Sequence, residues 1–156
     1  MKPELQAELF RRYPKLFRKP GMRLFAPGTG DAILVDSTGP IDERGIECGD
    51  GWFAIVDRLS CVCEMEIEAL DRQAVPMERW PRAMQIKEKI GTLRFYVLGP
   101  LSDSVREQIR LELSDECESA RTCASCGGPR KPSDGSSLNT DCDNCAAMQR
   151  VHESQA

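Results

Sequence analysis

The sequence has one histidine, no long apolar run and no net excess of basic residues among its 156 positions. The single histidine, His152, is close to the C-terminal end, which argues against a histidine-based catalytic relay. No apolar stretch approaches the length of a membrane span, and the N-terminal residues lack the apolar core of a signal peptide. We therefore expect a cytoplasmic protein that makes no contact with membranes.

Cysteine, in contrast, is abundant, with eight in the chain. Cys123, Cys126, Cys142 and Cys145 form a C-x2-C-x15-C-x2-C pattern. Two matched pairs at this spacing are typical of a four-thiolate zinc site, and the alternatives are two disulfides or a redox Cys-x-x-Cys. Without an export signal the disulfide alternative is disfavoured, because cytosolic thiols stay reduced.

The residues around these cysteines predict a small zinc finger. Four sulfur ligands complete a tetrahedral ion, so the zinc should be structural and not hydrolytic. Gly127 and Gly128 allow backbone N–H groups to turn toward the thiolates. A turn-rich segment follows, and a helix should begin at the second pair, with Asp141 as its candidate cap. This order predicts a treble-clef-like finger over residues 121–156.

The other four cysteines are Cys48, Cys61, Cys63 and Cys117. Cys63 and Cys117 lie on the apolar stripes of predicted helices, so we expect them to be buried. A second metal site built from these four is the alternative, although their spacings match no ligand pattern.

Apolar side chains recur at helical spacing in three segments before the finger. The first helix is predicted over residues 4–17. The second, in DGWFAIVDRLSCVCEMEIEALDR, is expected to have Asp50 as its N-cap. The third begins after Ser102 or Ser104 and runs into the first cysteine pair.

The segment AMQIKEKIGTLRFYVLG alternates as two strands of a hairpin, with Gly91 in the turn. Glu88 falls on the apolar side of this alternation. We expect either a bulge near the turn that removes the conflict, or a buried base that pairs with Glu88.

These elements predict an α+β fold, with amphipathic helices packed on a small antiparallel hairpin. Residues 1–120 form the expected core, and residues 121–156 form the finger at its C-terminal end. Residues 18–49 are punctuated by proline and glycine and are expected to be a long loop or insertion in which AILV is the single strand.

The charges are arranged in blocks along the chain. Residues 1–23 carry seven bases and two acids, residues 24–78 twelve acids and three bases, and residues 79–100 five bases and one acid. The acidic block offers a surface for a basic protein partner, and the second basic block offers one for nucleic acid. Ordinary solvated faces are the interpretation that the mixed-sign surface of soluble domains favours. The candidate contact residues are Asp42, Glu43 and Glu47 in the acidic block, and Lys87, Lys89 and Arg94 in the basic one.

One nuclease-like arrangement also occurs. Asp50, followed by QIK or KEK in a hairpin, loosely matches an Asp…(Glu/Gln)-x-Lys pattern that binds magnesium beside a phosphate. Lys87 or Lys89 would assist, and Glu47 or Glu88 would add a ligand. The pattern is short and frequent by chance, so it is an alternative to a non-enzymatic protein.

Four stretches follow one another in a specific order: RYPKLF, GIECGDGWFAIVDRL, QIKEKIGTLRFYV and ARTCASCGGP…TDCDNCA. In this order they resemble a family of small phage and prophage proteins whose signature is GDGW, then KEK-aromatic-G-x-LRFY, then a cysteine finger. The resemblance covers the first helix and most of residues 46–146. Ile90 stands where an aromatic residue is expected, and Cys145 stands where many relatives have a histidine ligand.

The family has no firmly assigned activity. The resemblance therefore implies the biological setting of a phage protein and does not imply a particular reaction. Small non-enzymatic phage proteins commonly bind a host machine. We therefore expect an accessory protein that binds a host protein complex, as an anti-defence (anti-CRISPR-like) inhibitor does. The alternatives are a nucleic-acid-binding regulator that uses the basic hairpin face and the finger, and a metal-dependent nuclease.

Overall fold

The protein is α+β within the residues that the computed structural model describes, which are 1–19, 23–25, 32–34, 38–113, 118–131 and 139–153. The helices are α1 (Pro3–Arg12), α2 (Pro40–Arg44), α3 (Phe53–Arg72), α4 (Asp103–Glu112), α5 (Glu118–Arg121) and α6 (Asp143–Glu153). The strands are β1 (Arg23–Phe25), β2 (Ala32–Leu34), β3 (Arg82–Lys89) and β4 (Thr92–Leu98). They pair as β1–β2 and β3–β4, both antiparallel. The expected fold class is confirmed at this level.

Helix α3 supplies much of the core. Its residues Val56, Leu59, Cys63 and Ile67 are buried, as their spacing by three and four predicts. Trp52, just before the helix, is 0% exposed and is the largest of the fully buried side chains. The inner face of the β3–β4 hairpin belongs to the same apolar cluster.

Helix α1 is shorter than the predicted 4–17, because it ends two residues before Pro14. Proline disfavours the helical conformation of the residue that precedes it. The chain then turns inward and buries Leu16. The carboxylate of Glu64 on α3 accepts the backbone N–H groups of Lys15 and Leu16, at 3.1 and 2.8 Å. These bonds replace the helical ones that the proline interrupts.

The predicted hairpin and its turn are confirmed. Ile86 lies opposite Phe95, and Lys87 lies opposite Arg94. The two turn residues, Ile90 and Gly91, have φ values of 52° and 76°. Positive φ at both positions is typical of a type I′ turn, whose twist matches that of the strands.

Neither explanation expected for Glu88 is correct. The register irregularity lies between Ala83 and Gln85, at the opposite end of the hairpin from the turn. The carboxylate of Glu88 accepts the backbone N–H of Gly91 at 2.8 Å and so stabilises the turn. A carboxylate on this side of the strand is satisfied locally and needs no buried base.

The segment 18–49 contains more regular structure than expected. The predicted AILV strand is confirmed as β2, but it pairs with a second short strand, β1. Helix α2 follows, and Glu47 then forms a parallel bridge with Lys87 at the edge of β3. The remainder of this segment lies outside the described residues.

Three acids of the second charge block pair with bases of the first. Ion pairs join Lys2 to Asp50 at 3.2 Å, Arg12 to Asp57 at 2.9 Å and Lys15 to Asp71 at 3.0 Å. Each pair is partly exposed and individually weak, but together they orient the N-terminal segment on α3.

Helix α4 has the predicted cap, because the side chain of Ser102 accepts the backbone N–H of Val105. The prediction of one helix that runs into the first cysteine pair is wrong, because α4 ends at Glu112 with Leu113 as its C-cap, and α5 is a separate helix. Cys117 lies outside the described residues. Within the described part of the chain, no helix has the length and apolar character needed to cross a membrane.

Candidate metal centre and binding surfaces

The four predicted ligands come together. The sulfurs of Cys123, Cys126, Cys142 and Cys145 all lie within 4.8 Å of one another, and those of Cys126 and Cys142 are 3.8 Å apart. Sulfurs bound at about 2.3 Å to a tetrahedral ion lie about 3.8 Å from one another. The cluster therefore has the size that one such ion requires.

The first cysteine pair lies in a tight turn that the glycines permit. The backbone N–H of Cys123 donates to the carbonyl of Gly128, and that of Gly127 donates to the carbonyl of Cys123. Gly127 has a φ of 74°, in the left-handed region that favours glycine. The N–H of Gly128 then lies 3.4 Å from the sulfur of Cys126. The predicted N–H···S contact is confirmed.

The second pair opens helix α6, as predicted. Asp141, the candidate cap, uses its carboxylate to accept the backbone N–H of Ser125 at 3.1 Å and the side-chain amide of Gln149 at 2.7 Å. Burial opposes its ionisation, but hydrogen bonds from Ser125, Cys123 and Gln149 outweigh this and lower the pKa of Asp141. Asp141 therefore links the two cysteine pairs.

The thiols differ in acidity. The pKa of Cys142 is lowered to about 7, because the backbone N–H of Cys145 donates to its sulfur. Burial raises the pKa of Cys123, and a hydrogen bond with Cys126 raises that of Cys145. Without a cation, only part of the cluster ionises readily. A metal ion held by this cluster would displace the remaining protons, because its ligands would be four thiolates.

The finger is docked on the core through the GDGW motif, residues 49–52. The N–H of Gly51 donates to the carbonyl of Ala124 at 2.7 Å, and the indole N–H of Trp52 donates to the carbonyl of Thr122 at 2.9 Å. A side chain at either glycine of the motif would overlap finger backbone. The sequence alone did not assign this role to the motif. The sequence feature that could have indicated this docking role is the pair of glycines, Gly49 and Gly51, that precedes Trp52.

Arg130 is a second docking residue that the sequence analysis missed. It is 9% exposed and donates to the carbonyls of Thr122 at 3.2 Å, Asn139 at 3.0 Å and Gly91 at 2.6 Å. One guanidinium therefore joins two parts of the finger to the hairpin turn. The sequence carries no pattern that distinguishes Arg130 from an exposed base. The division of the chain at residue 121 stays a prediction.

The prediction that Asp50 caps α3 is wrong. Asp50 begins a 3-10 turn, and the N-cap position of α3 is Trp52. The carboxylate of Asp50 accepts the backbone N–H of Lys2 at 2.7 Å and pairs with its ammonium group. The competing partner comes from a distant part of the chain, which a local capping pattern cannot reveal.

The carboxylates proposed for a magnesium site are engaged separately. Asp50 contacts Lys2, Glu47 lies 3.6 Å from Arg44, and Glu88 holds the turn. In the described ranges, the four cysteines are the only group of three or more His, Cys, Asp or Glu residues arranged to hold a metal ion. No carboxylate cluster of that size forms there around Asp50.

The three acidic candidates for partner binding are not equivalent. Asp42 contacts Arg82, which is 3% exposed, through both carboxylate oxygens at 2.7 and 2.6 Å. Glu47 pairs with Arg44 and accepts from Gln85 at 3.4 Å. Glu43 is exposed. The role of all three in binding stays a prediction, and Glu43 is the most accessible.

The three basic candidates lie on one face of the hairpin. Lys87 and Arg94 are directly opposite each other, and Lys89 is two residues from Lys87 on the same side. Tyr96, opposite Gln85, continues this side and is 47% exposed. We call this surface the outer hairpin face and define it by Gln85, Lys87, Lys89, Thr92, Arg94 and Tyr96.

Comparison of the chain with models of protein families, with curated proteins and with solved structures finds no match.

Proposed function

We propose that this protein is a non-enzymatic, zinc-stabilised accessory protein of the phage type, which acts by binding a macromolecule of the host. The observation that carries the proposal is the closed cluster of four cysteines, which is hydrogen-bonded to the core through the GDGW motif. Four protein ligands leave no position for a substrate or a reactive water. Such a site stabilises a fold, and a partner macromolecule would be bound by other residues on the surface.

Zinc is the metal that best fits this cluster. A tetrahedral set of four sulfurs suits zinc or iron. A zinc ion stabilises small folds of this type by about 10 kcal/mol or more, because the binding site does not exist in the unfolded chain. A tight turn at the first cysteine pair and a helix that begins at the second pair support a treble-clef-like finger. The thiols of the cluster also suit a reducing compartment, so we propose the host cytoplasm as the location.

Metal analysis tests the first part of the proposal. We expect elemental analysis to find one zinc ion per chain, and absorbance spectra to lack the thiolate–iron bands. A chelator that removes the ion should lower the unfolding temperature. A matched variant, Cys61→Ser, changes an exposed cysteine outside the cluster and should leave metal content intact. Metal-free protein with four reactive thiols at residues 123–145 would contradict the proposal.

The setting of the proposal comes from the resemblance to phage proteins, and an anti-defence role is part of it. Affinity capture from a bacterial lysate, with and without nuclease treatment, tests for a host protein complex. Among the three acidic candidates, Glu43→Lys gives the clearest test of binding, since Glu43 is exposed. Asp42→Asn would instead remove a carboxylate that holds the buried Arg82 and would confound binding with stability. Capture of no host component would contradict the proposal.

A further inference from the structure

The geometry points to the outer hairpin face as a binding surface for single-stranded nucleic acid, with the cations on phosphates and Tyr96 stacked on a base. This inference rests on the proposed function and specifies the class of partner for one surface.

The first observation is a like-charge pair across the hairpin. Lys87 and Arg94 occupy directly opposed positions, with Lys89 next along the same face. Like charges opposite each other destabilise an antiparallel pair. The two charges therefore repel each other in the folded hairpin, whereas an anion placed between them would remove this repulsion.

The second observation is that these cations have no ion pairs within the described structure. Several other bases do form ion pairs, among them Arg12 with Asp57, Lys15 with Asp71, and Arg110 with Glu107. No described carboxylate lies within ion-pair distance of Lys87, Lys89 or Arg94. The nearest acid in the strand order, Glu47, faces Arg44 and Gln85 instead. The charge of this face is therefore available to a ligand.

The third observation is the spacing and the aromatic ring. Alternate residues of a strand are about 6.7 Å apart, which is comparable to the separation of successive phosphates in an extended single strand. Tyr96 lies two residues beyond Arg94 on the same face and is 47% exposed. Basic grooves with exposed aromatic rings bind single strands, because every base has a face on which a ring can stack.

A duplex fits this face less well. Its bases are stacked on one another and do not offer their faces to Tyr96. Duplex binding without base stacking depends on many phosphate contacts, and this face supplies three cations in a chain whose formal net charge is −4. The rest of the molecule repels a long polyanion, so a short single-stranded segment is the expected ligand.

Fluorescence anisotropy with short labelled oligonucleotides tests this inference on the full-length, metal-loaded chain. DNA and RNA single strands of one sequence are compared with the corresponding duplex. We expect single strands of at least one type to bind about tenfold or more tightly than duplex at low salt. The logarithm of the affinity should fall against the logarithm of salt concentration with a slope of about −2, as three phosphate contacts predict.

Variants of the face provide the decisive comparison. Replacing Lys87, Lys89 and Arg94 together by glutamine should abolish measurable binding and its salt dependence. The matched control replaces three exposed bases on other elements by glutamine, Arg11, Arg72 and Arg79, and changes the net charge equally. The control should retain affinity within about threefold, because none of its sites contacts phosphate.

Two further variants separate recognition from folding. Tyr96→Ala should weaken binding by about tenfold, and Tyr96→Phe should restore it, because stacking requires the ring and not the hydroxyl. Arg94→Glu places opposite charges across the hairpin, so it should abolish binding while the unfolding temperature stays equal or rises. If Arg94 had a purely structural role, the variant would still bind and its unfolding temperature would fall.

Several results would overturn the inference. These are no binding of single strands at low salt, equal binding of duplex, or equal loss of affinity in the control. Each leaves the proposed function standing, because that function is tested by metal content and by capture of a host component. A chain without zinc would instead refute the proposed function directly.

Discussion

Gly51→Ala is expected to separate the finger from the core. The added methyl group would overlap two backbone atoms, the carbonyl oxygen of Cys123 and the amide nitrogen of Gly127. Backbone cannot rotate away as the end of a side chain can, so the two segments must move apart. The backbone of Gly51 is not in the left-handed region, and the effect is therefore steric.

The cost follows from the contacts that must be lost. Forcing a methyl group into a filled site costs about 1–3 kcal/mol. The hydrogen bond from Gly51 to Ala124 breaks, and the indole N–H of the fully buried Trp52 loses Thr122, at about 1–3 kcal/mol for an unsatisfied buried donor. We expect a total loss of about 3–5 kcal/mol in the free energy of unfolding. This is a large fraction of the stability of a typical domain.

Urea denaturation at a fixed zinc concentration measures this loss. Gly39→Ala is the matched control, because its methyl group would meet chiefly the flexible end of Met84, with Cε 2.6 Å away. We expect the control to cost less than about 1 kcal/mol, as is usual when the strained group can move aside. Gly51→Ala with a loss no larger than that of Gly39→Ala would refute the argument that backbone contact fixes the finger to the core.

Three further predictions concern stability. Ile90→Asn should raise the free energy of unfolding by about 1 kcal/mol, because a β-branched residue at a φ of 52° is strained and this side chain is 66% exposed; a lower urea midpoint would count against turn strain. Ser60→Ala should be neutral or stabilise by up to about 1 kcal/mol, since the hydroxyl of Ser60 is fully buried and has no hydrogen-bond partner among the described residues; a clear loss in thermal unfolding would reveal a partner. Partial burial opposes ionisation of Asp50, but hydrogen bonds and the charge of Lys2 outweigh it and lower its pKa. The stabilisation is therefore present above the unfolded pKa of an ordinary carboxyl group and is lost as pH falls through the folded pKa. Asp50→Asn should cost at most about 1 kcal/mol at pH 7 and nothing at low pH, and magnesium-dependent cleavage of DNA or RNA that this variant abolishes would establish the nuclease alternative.

Periodicity was sufficient to predict the elements whose interactions are local. The stripe through Val56, Leu59 and Cys63 predicted α3, and alternation with a glycine turn predicted the hairpin. The cysteine spacing predicted the metal cluster, because two Cys-x-x-Cys pairs can be recognised without knowing what surrounds them. In each case the residues that decide the structure are close together in the sequence.

Long-range interactions account for what was missed. Asp50 is a residue type that often caps helices, but its carboxylate accepts the backbone N–H of Lys2 instead. Asp42 belongs to a block of acids in the sequence, but in the structure it forms an ion pair with Arg82. Charge counted along the chain cannot show which acids and bases meet in space. Arg130 likewise has no sequence signal, because its acceptors are backbone carbonyls that any residue type supplies.

The docking of the GDGW motif on the finger also determines the order in which the chain can fold. Gly51 and Trp52 form these hydrogen bonds with Ala124 and Thr122, which lie 73 and 70 positions later in the chain. Until the finger has left the ribosome, the indole of Trp52 lacks its acceptor and the start of α3 lacks its cover. Residues 49–52 therefore lack these partners until the chain has been made beyond residue 124. If the four cysteines hold zinc, as we propose, the supply of zinc when this segment emerges should set the fraction of chains that mature.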